Sequence, residues 1–247
     1  MRNSKLLFMK KFQLIALTLI GIYACLNLSS CKKDERDEPE TPKVEKRMKS
    51  LDDIEFTYSN GKIIDETGIK IKYTSTSIEI SGNHSQGVYT IQNGLVSKYV
   101  ESDGWYNLFK YENGYLSKRE TYDYEGNLRE DVTFEWKDGL ITRQTEYDFD
   151  DDGKKRLFCD YKYTYTSNPD YGGAVVCFQS NSLFYDYLPQ CLILQGYFGK
   201  LPKFLVSSAV DASGYFDKDE YSWDLDSDGY PLELKGDYRA CFVWEKI

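Results

Sequence analysis

One short phrase, repeated along the chain, constrains the fold more than any other feature. It runs aromatic, any residue, aromatic or Ile, any residue, Asn or Asp, Gly. The copies are Phe56-Thr57-Tyr58-Ser59-Asn60-Gly61, Tyr89-Thr90-Ile91-Gln92-Asn93-Gly94, Phe109-Lys110-Tyr111-Glu112-Asn113-Gly114 and Phe134-Glu135-Trp136-Lys137-Asp138-Gly139. A looser copy is Tyr221-Ser222-Trp223 with Asp228-Gly229 after it. Asn-Gly and Asp-Gly accept the positive φ angles of a two-residue hairpin turn. Residues two apart share one face of a strand. The paired aromatics therefore face one way, and Lys110, Glu112, Glu135 and Lys137 face the other. Such alternation marks an antiparallel sheet with one buried and one wet face.

Turn glycines recur at Gly94, Gly104, Gly114, Gly126, Gly139 and Gly153, with widening intervals. Regular turns of this kind indicate successive hairpins whose strands lengthen along the series. Lys110, Glu112, Lys118 and Glu120 lie on the wet face, where a membrane-spanning barrel would be apolar. The expected class is mainly β: an antiparallel meander of hairpins forming a curved sheet or partial barrel. A short helix-containing segment then covers the aromatic face. Residues 174–210 are the natural cover, with a short helix over 181–188 ended by Pro189. The apolar runs 192–198 and 201–206, broken by Gly196, Gly199 and Pro202, belong to the same insertion. The last strands are expected near 220–226, 230–236 and 239–245. The repeat loses regularity at 65–88 and 160–180, which leaves the strand number there open.

The N-terminus reads as an export signal. Arg2, Lys5, Lys10 and Lys11 precede a mostly apolar run from Phe12 to Leu28. Leu28-Ser29-Ser30-Cys31 follows and resembles the lipobox of bacterial lipoproteins. That resemblance implies cleavage after Ser30 and lipidation of Cys31. Two alternatives compete. Residues 12–28 are short for an uncleaved membrane anchor, and modification at Cys25 is opposed by Tyr23 where a small residue is needed. Lys32-Lys33-Asp34-Glu35, with more charges and Pro39 after it, is similar to the surface-export signal of Bacteroidota lipoproteins. It also reads as an ordinary solvated tether. The expected organisation is a lipoprotein signal peptide over 1–30, a charged flexible tether over 31–50 and a β-rich domain over 51–247.

A net charge of −9, with no basic stripe, argues against nucleic acid as a partner. Once Cys25 and Cys31 are set aside, Cys159, Cys177, Cys191 and Cys241 remain. In an exported domain they permit two disulfides, and the competing reading is reduced core thiols. No CxxC spacing supports a zinc or redox site.

Two loops begin like calcium loops: Asp148, Asp150 and Asp152 before Gly153, and Asp224, Asp226 and Asp228 before Gly229. Alternate aspartates with a glycine supply the oxygens that calcium needs. The acid required six residues after the glycine is missing, because Cys159 and Lys235 stand there. The competing reading is a hairpin turn in which Asp bonds its own backbone. Tyr122-Asp123-Tyr124-Glu125-Gly126, at an equivalent place, favours the turn. No other cofactor is indicated. His84 is the single histidine and sits in a turn-like context, so a His-based catalytic set has no support. Carboxylates are plentiful, but no pair stands out as the acid and base of a glycosidase. Tyr106, Tyr115, Tyr124, Tyr147 and Trp105 lie near turns and are candidates for stacking on a sugar.

The hairpin phrases, Gly196-Tyr197-Phe198-Gly199-Lys200-Leu201-Pro202 and the C-terminal Tyr-x-Trp…Asp-Gly-Tyr-Pro pair together resemble a Bacteroidota lipoprotein family. That family is described as being of unknown function with a porin-like antiparallel β fold. The resemblance covers residues 51–247 and implies an extended, curved antiparallel sheet. It brings no catalytic residues and no established ligand. The functional expectation is a non-catalytic lipoprotein, anchored by its lipid to the outer membrane and facing the cell surface. It would bind an extracellular ligand, such as a glycan, or a partner. The alternatives are a structural subunit docking on an outer-membrane complex and a carboxylate-dependent hydrolase.

Overall fold

The computed structural model of the protein describes residues 44–82, 86–174, 189–214, 218–236 and 239–247. Cys31, His84, Cys177, the signal peptide and the helix expected over 181–188 lie outside the described residues. Strands follow one another as β1 (Lys46–Leu51), β2 (Ile54–Ser59), β3 (Lys62–Glu66), β4 (Ile69–Tyr73), β5 (Ser77–Ser81) and β6 (Gln86–Gln92). They continue as β7 (Leu95–Glu101), β8 (Tyr106–Glu112), β9 (Tyr115–Tyr122), β10 (Leu128–Lys137), β11 (Leu140–Phe149) and β12 (Lys155–Pro169). One short helix, α1 (Gln190–Leu194), precedes β13 (Phe204–Asp211), β14 (Asp219–Glu220), β15 (Ser222–Leu225), β16 (Pro231–Lys235) and β17 (Ala240–Lys246).

Each strand pairs antiparallel with its sequence neighbour, and β1 pairs with both β2 and β17. The sheet is thus nearly closed into a barrel. β14 and β15 are interrupted only by Tyr221; the first pairs with β13 and the second with β16. The expected antiparallel meander is present and continues until its two ends meet. Closure corrects the expected tether boundary, because residues 46–50 belong to β1. Met48 and Leu51 are almost fully buried in the core, so this charged-looking stretch gains apolar burial as well as two strand partners.

The meander places its turns at two ends. The Asn-Gly and Asp-Gly turns of the repeated phrase share one end with the β12–β13 connection, and Asp103-Gly104 and Asp152-Gly153 lie at the other. At the first end, Asn93-Gly94 and Asn113-Gly114 take the positive φ values that their hairpins require. Gln195 to Lys203 forms a strap across this row of turns. Val96 N–H donates to the Tyr197 carbonyl at 2.9 Å. Lys200 N–H donates to the Gly114 carbonyl at 2.9 Å, and Lys203 N–H to the Gly139 carbonyl at 3.2 Å. Gln195 Oε1 accepts from Ile63 N–H at 3.3 Å. α1 leads into the strap, with Cys191, Leu192 and Ile193 fully buried. Phe198 packs edge-on against Phe109, their ring centroids 5.2 Å apart. The expected cover is real but shorter than 174–210, because Phe204–Asp211 is a wall strand. Pro189 caps the start of α1.

Pairing differs within and between hairpins. β8 and β9 pair out to Glu112 and Tyr115 beside their turn. β9 and β10 stop pairing at Lys118 and Thr133. The hairpins therefore spread like fingers toward the strap end, and an aromatic side chain closes each gap. Tyr58 Oη donates to the Met48 carbonyl and Tyr73 Oη to the Ile63 carbonyl, both at 2.6 Å. Tyr111 Oη donates to the Val96 carbonyl and Trp136 Nε1 to the Leu116 carbonyl, both at 2.7 Å. Tyr165 Oη reaches the Ile141 carbonyl at 2.9 Å and Trp223 Nε1 the Val206 carbonyl at 2.7 Å. Trp244 Nε1 reaches the Pro231 carbonyl.

Every acceptor in this series immediately precedes a residue that bulges out of register: Lys49, Ile64, Ser97, Ser117, Thr142, Ser207 or Leu232. Bulges bend a strand and increase its twist, which is how the fingers diverge. Ile91 explains the one non-aromatic copy of the phrase. The β5–β6 ladder reaches Ser77 and Thr90, and Ile91 N–H donates to the Thr76 carbonyl at 2.8 Å. That seam has no gap to close.

Candidate functional site

The barrel has a charged outer wall and an apolar filling. Outside, Lys118 bridges Glu120 at 2.8 Å and Asp131 at 3.1 Å, while Lys110 reaches Glu120 at 3.1 Å. Lys72 pairs with Glu79 at 3.0 Å, and Arg143 grips Asp160 with two N–H groups at 2.6 and 2.9 Å. Inside, Ile63, Val96, Leu116, Ile141, Leu192 and Phe198 are fully buried. A pore in a membrane has the opposite arrangement, with an apolar band outside and a polar interior. Among the described residues, no helix is long and apolar enough to cross a membrane.

Toward the end away from the strap, the filling becomes polar. Arg119 Nη2 donates to Glu130 Oε2 at 3.1 Å, and Thr121 Oγ1 to Asn107 Oδ1 at 2.7 Å. Tyr163 Oη donates to Gln144 Oε1 at 3.1 Å. Glu66, 7% exposed, accepts from Cys191 N–H at 3.1 Å. Burial raises the Glu66 pKa, while its hydrogen bonds from Cys191 act the other way. Burial also raises the pKa of the Cys191 and Cys159 thiols. A thiol kept protonated in this way is not a nucleophile. Cys159, Cys191 and Cys241 are free thiols; the first two are buried and the third is exposed.

The Asp-rich loops are hairpin turns of one design. Asp150 Oδ1 accepts from Asp152 N–H at 3.1 Å and Lys154 N–H at 2.8 Å. Asp226 Oδ1 accepts from Asp228 N–H at 2.8 Å and Tyr230 N–H at 3.0 Å. Asp123 does the same with Glu125 and Asn127. Carboxylates of these loops also take cations: Asp148 pairs with Arg156, Asp224 with Lys235, and Asp228 and the second oxygen of Asp226 both with Lys46. Asp152 is exposed at its turn. Among the described residues, no group of three or more His, Cys, Asp or Glu side chains is placed to hold a metal ion.

Two concavities lie at the strap end. A cleft of about 870 Å³ has Tyr58, Lys62, Asp170, Tyr171, Gln195 and Tyr197 in its lining. Its aromatic rings already have partners. Arg47 covers Tyr58 at 3.9 Å, Tyr197 stacks on Tyr73 with centroids 6.0 Å apart, and Tyr171 packs on Tyr230 at 5.7 Å. The second concavity, about 640 Å³, is a groove on the outer wall between the β8–β9 and β10–β11 hairpins. There Tyr115 and Trp136 pack on one another, their ring centroids 4.4 Å apart and their planes tilted by 35°.

The aromatics expected near turns separate accordingly. Tyr115 is in the groove. Tyr106 stacks on Tyr122 at 4.8 Å, and Lys155 covers Tyr147 at 3.6 Å. Trp105 lines a third hollow beside Arg129 and Lys154. Tyr124 stands out at the opposite end, 70% exposed. Trp136 was legible only as a strand aromatic. Its place in the groove follows from its position two residues before Asp138-Gly139, facing the neighbouring finger.

A scan against protein-family models finds no match, and neither does a search of curated proteins. Solved structures do match. A porin-like protein from Bacteroides vulgatus aligns with a TM-score of 0.60 at 13% identity, covering 81% of this chain and 99% of that one. A porin-like protein from Bacteroides uniformis aligns with a TM-score of 0.56 at 11% identity, covering 78% and 84%. At such low identity the likeness establishes the fold, a nearly closed antiparallel barrel.

Proposed function

We propose that this is a non-catalytic lipoprotein of the outer membrane, anchored through Cys31 and facing the cell surface. Its barrel binds an extracellular ligand or envelope partner at the strap end. One observation carries the reading: the wall turned outward is laced with ion pairs, while the lumen is packed with apolar side chains. Such a barrel has no face to offer lipid and, along its apolar stretch, no channel to offer solutes. Attachment must then come from outside it, and an acylated cysteine supplies firm anchoring when it bears two or more chains. β1 begins at the strap end, so a tether leading to Lys46 enters there.

The polar groups inside the barrel support a non-catalytic reading. They are spent on one another, and the buried thiols stay protonated. The strap end is favoured for binding because the two largest concavities described above open there. Feeding cells labelled palmitate tests the anchor. Wild-type protein takes up label and Cys31→Ser does not; equal labelling of both would refute the anchor at Cys31.

A further inference from the structure

One row on the outer wall breaks the pattern of ion pairs. The ladder register sets Val88 opposite Val100, Val100 opposite Tyr106, Tyr106 opposite Tyr122 and Tyr122 opposite Leu128. Tyr89, Tyr99, Asn107 and Thr121, their chain neighbours, are buried. Successive residues of a strand point to opposite faces, so the row faces outward. It crosses β6 to β10 near the end away from the strap, over about 19 Å at four strand spacings. Val88 is 42% exposed, and the other four are partly exposed. Tyr106 and Tyr122 stack with centroids 4.8 Å apart and planes within 7° of parallel. Their faces therefore look along the row and their edges look outward. A contiguous apolar patch on a charged surface marks an interaction site. One row falls far short of the apolar band, about 25 Å tall, that a membrane barrel shows to lipid.

The next outward row toward the strap supplies charge. It runs Thr90, Lys98, Leu108, Glu120 and Asp131 on the same five strands. Among the described residues, the Lys98 side chain makes no ion pair or hydrogen bond, and its Nζ lies 4.6 Å from the Tyr106 ring centroid. We infer that this face pairs with the same face of a second copy of the chain, about a two-fold axis running along β8. A two-fold contact puts one patch against its own image, so the patch must complement itself. About that axis Val88 meets the partner's Leu128, Val100 meets the partner's Tyr122, and Tyr106 and Leu108 meet their own images. Lys98 meets the partner's Glu120, twice by symmetry, and Thr90 meets the partner's Asp131. Lys110 faces its image one step further along, where each is already paired with its own Glu120. The two strap ends lie on the same side of such a pair, so two chains anchored through their tethers can form it on one membrane. Only that last point draws on the proposed anchor.

The test measures the mass of the full-length lipidated chain in detergent by sedimentation equilibrium, with the solvent density matched to the detergent. A concentration-dependent equilibrium between monomer and dimer is expected. Val88→Glu puts an acid into the apolar row, and Lys98→Glu sets an acid against the partner's Glu120. Each should weaken dimerisation by about tenfold or more, because misplaced charge at an interface opposes association. Val243→Glu, at a 48% exposed position on β17, should not. On cells treated with a mild oxidant, Leu108→Cys combined with Cys241→Ser should give a disulfide-linked dimer, since Leu108 meets its own image. Val243→Cys in the same background should not. A chain that sediments as a monomer at every concentration overturns the proposal. A dimer that tolerates both acidic substitutions and gives no Leu108→Cys cross-link overturns this face as the contact. A Leu108→Cys cross-link to a different protein overturns the second copy as its occupant.

Discussion

Tyr111 shows how much one side chain does in this barrel. Its ring extends the packing of Phe109, and its hydroxyl satisfies the Val96 carbonyl beside the Ser97 bulge. Trp136 repeats both tasks at Leu116 and Ser117, and Tyr165 at Ile141 and Thr142. A second contact recurs with them. The bulged hydroxyls of Ser97, Ser117 and Thr142 donate to the carbonyls of Thr90, Lys110 and Glu135 at 3.3, 3.1 and 3.1 Å. The hydroxyl can be tested apart from the ring. Tyr111→Phe keeps the apolar burial but leaves a carbonyl without its donor, a loss of about 1–2 kcal/mol. Urea denaturation should show that loss as a lower midpoint with an unchanged slope. An unchanged midpoint would mean that the hydroxyl contributes nothing.

Among the elements, the hairpins were readable in the sequence and the seams between them were not. Asn-Gly and Asp-Gly fix the turns locally, and alternation fixes the faces. The seams depend on which hairpins stand side by side, and on bulges that no local signal announces. β1 reads as charged tether because Lys46, Arg47 and Lys49 surround its two core residues, Met48 and Leu51. α1 spans only Gln190–Leu194, too short for a helical period to register. The strap motif was visible as Gly-Tyr-Phe-Gly-Lys-Leu-Pro, but its purpose was not. Gly199 has φ +87°, and a Cβ there would lie 2.5 Å from the Gly114 carbonyl oxygen. Gly199→Ala therefore meets both a forbidden backbone region and a clash. The strap should lift from the β8–β9 turn, with faster amide exchange at Lys200 while the distant β11–β12 ladder stays protected. Equal protection of Lys200 in both proteins would show that the strap is not held there.

At the scale of the whole molecule, the porin-like outline and its chemistry point in different directions. The outline came from hairpins that the sequence declares openly. The chemistry came from Lys110, Lys118 and Glu120, also visible in the sequence and now seen ion-paired on the outer wall. What the sequence could not supply was the filling of the lumen, because α1 and Phe198 meet β3, β6 and β8 only after the barrel has curled around them. The groove was half legible: Tyr115 stood out near a turn, but its pairing with Trp136 needed the finger geometry. If the barrel stays outside the bilayer, as proposed, Cys31 alone holds the protein to the membrane. Fractionating cells that express an exported Cys31→Ser chain tests this most directly. The substituted chain should be a folded protein in the soluble fraction, with wild type released from membranes only by detergent. A Cys31→Ser protein that stays in the membrane through alkaline carbonate washing would contradict it.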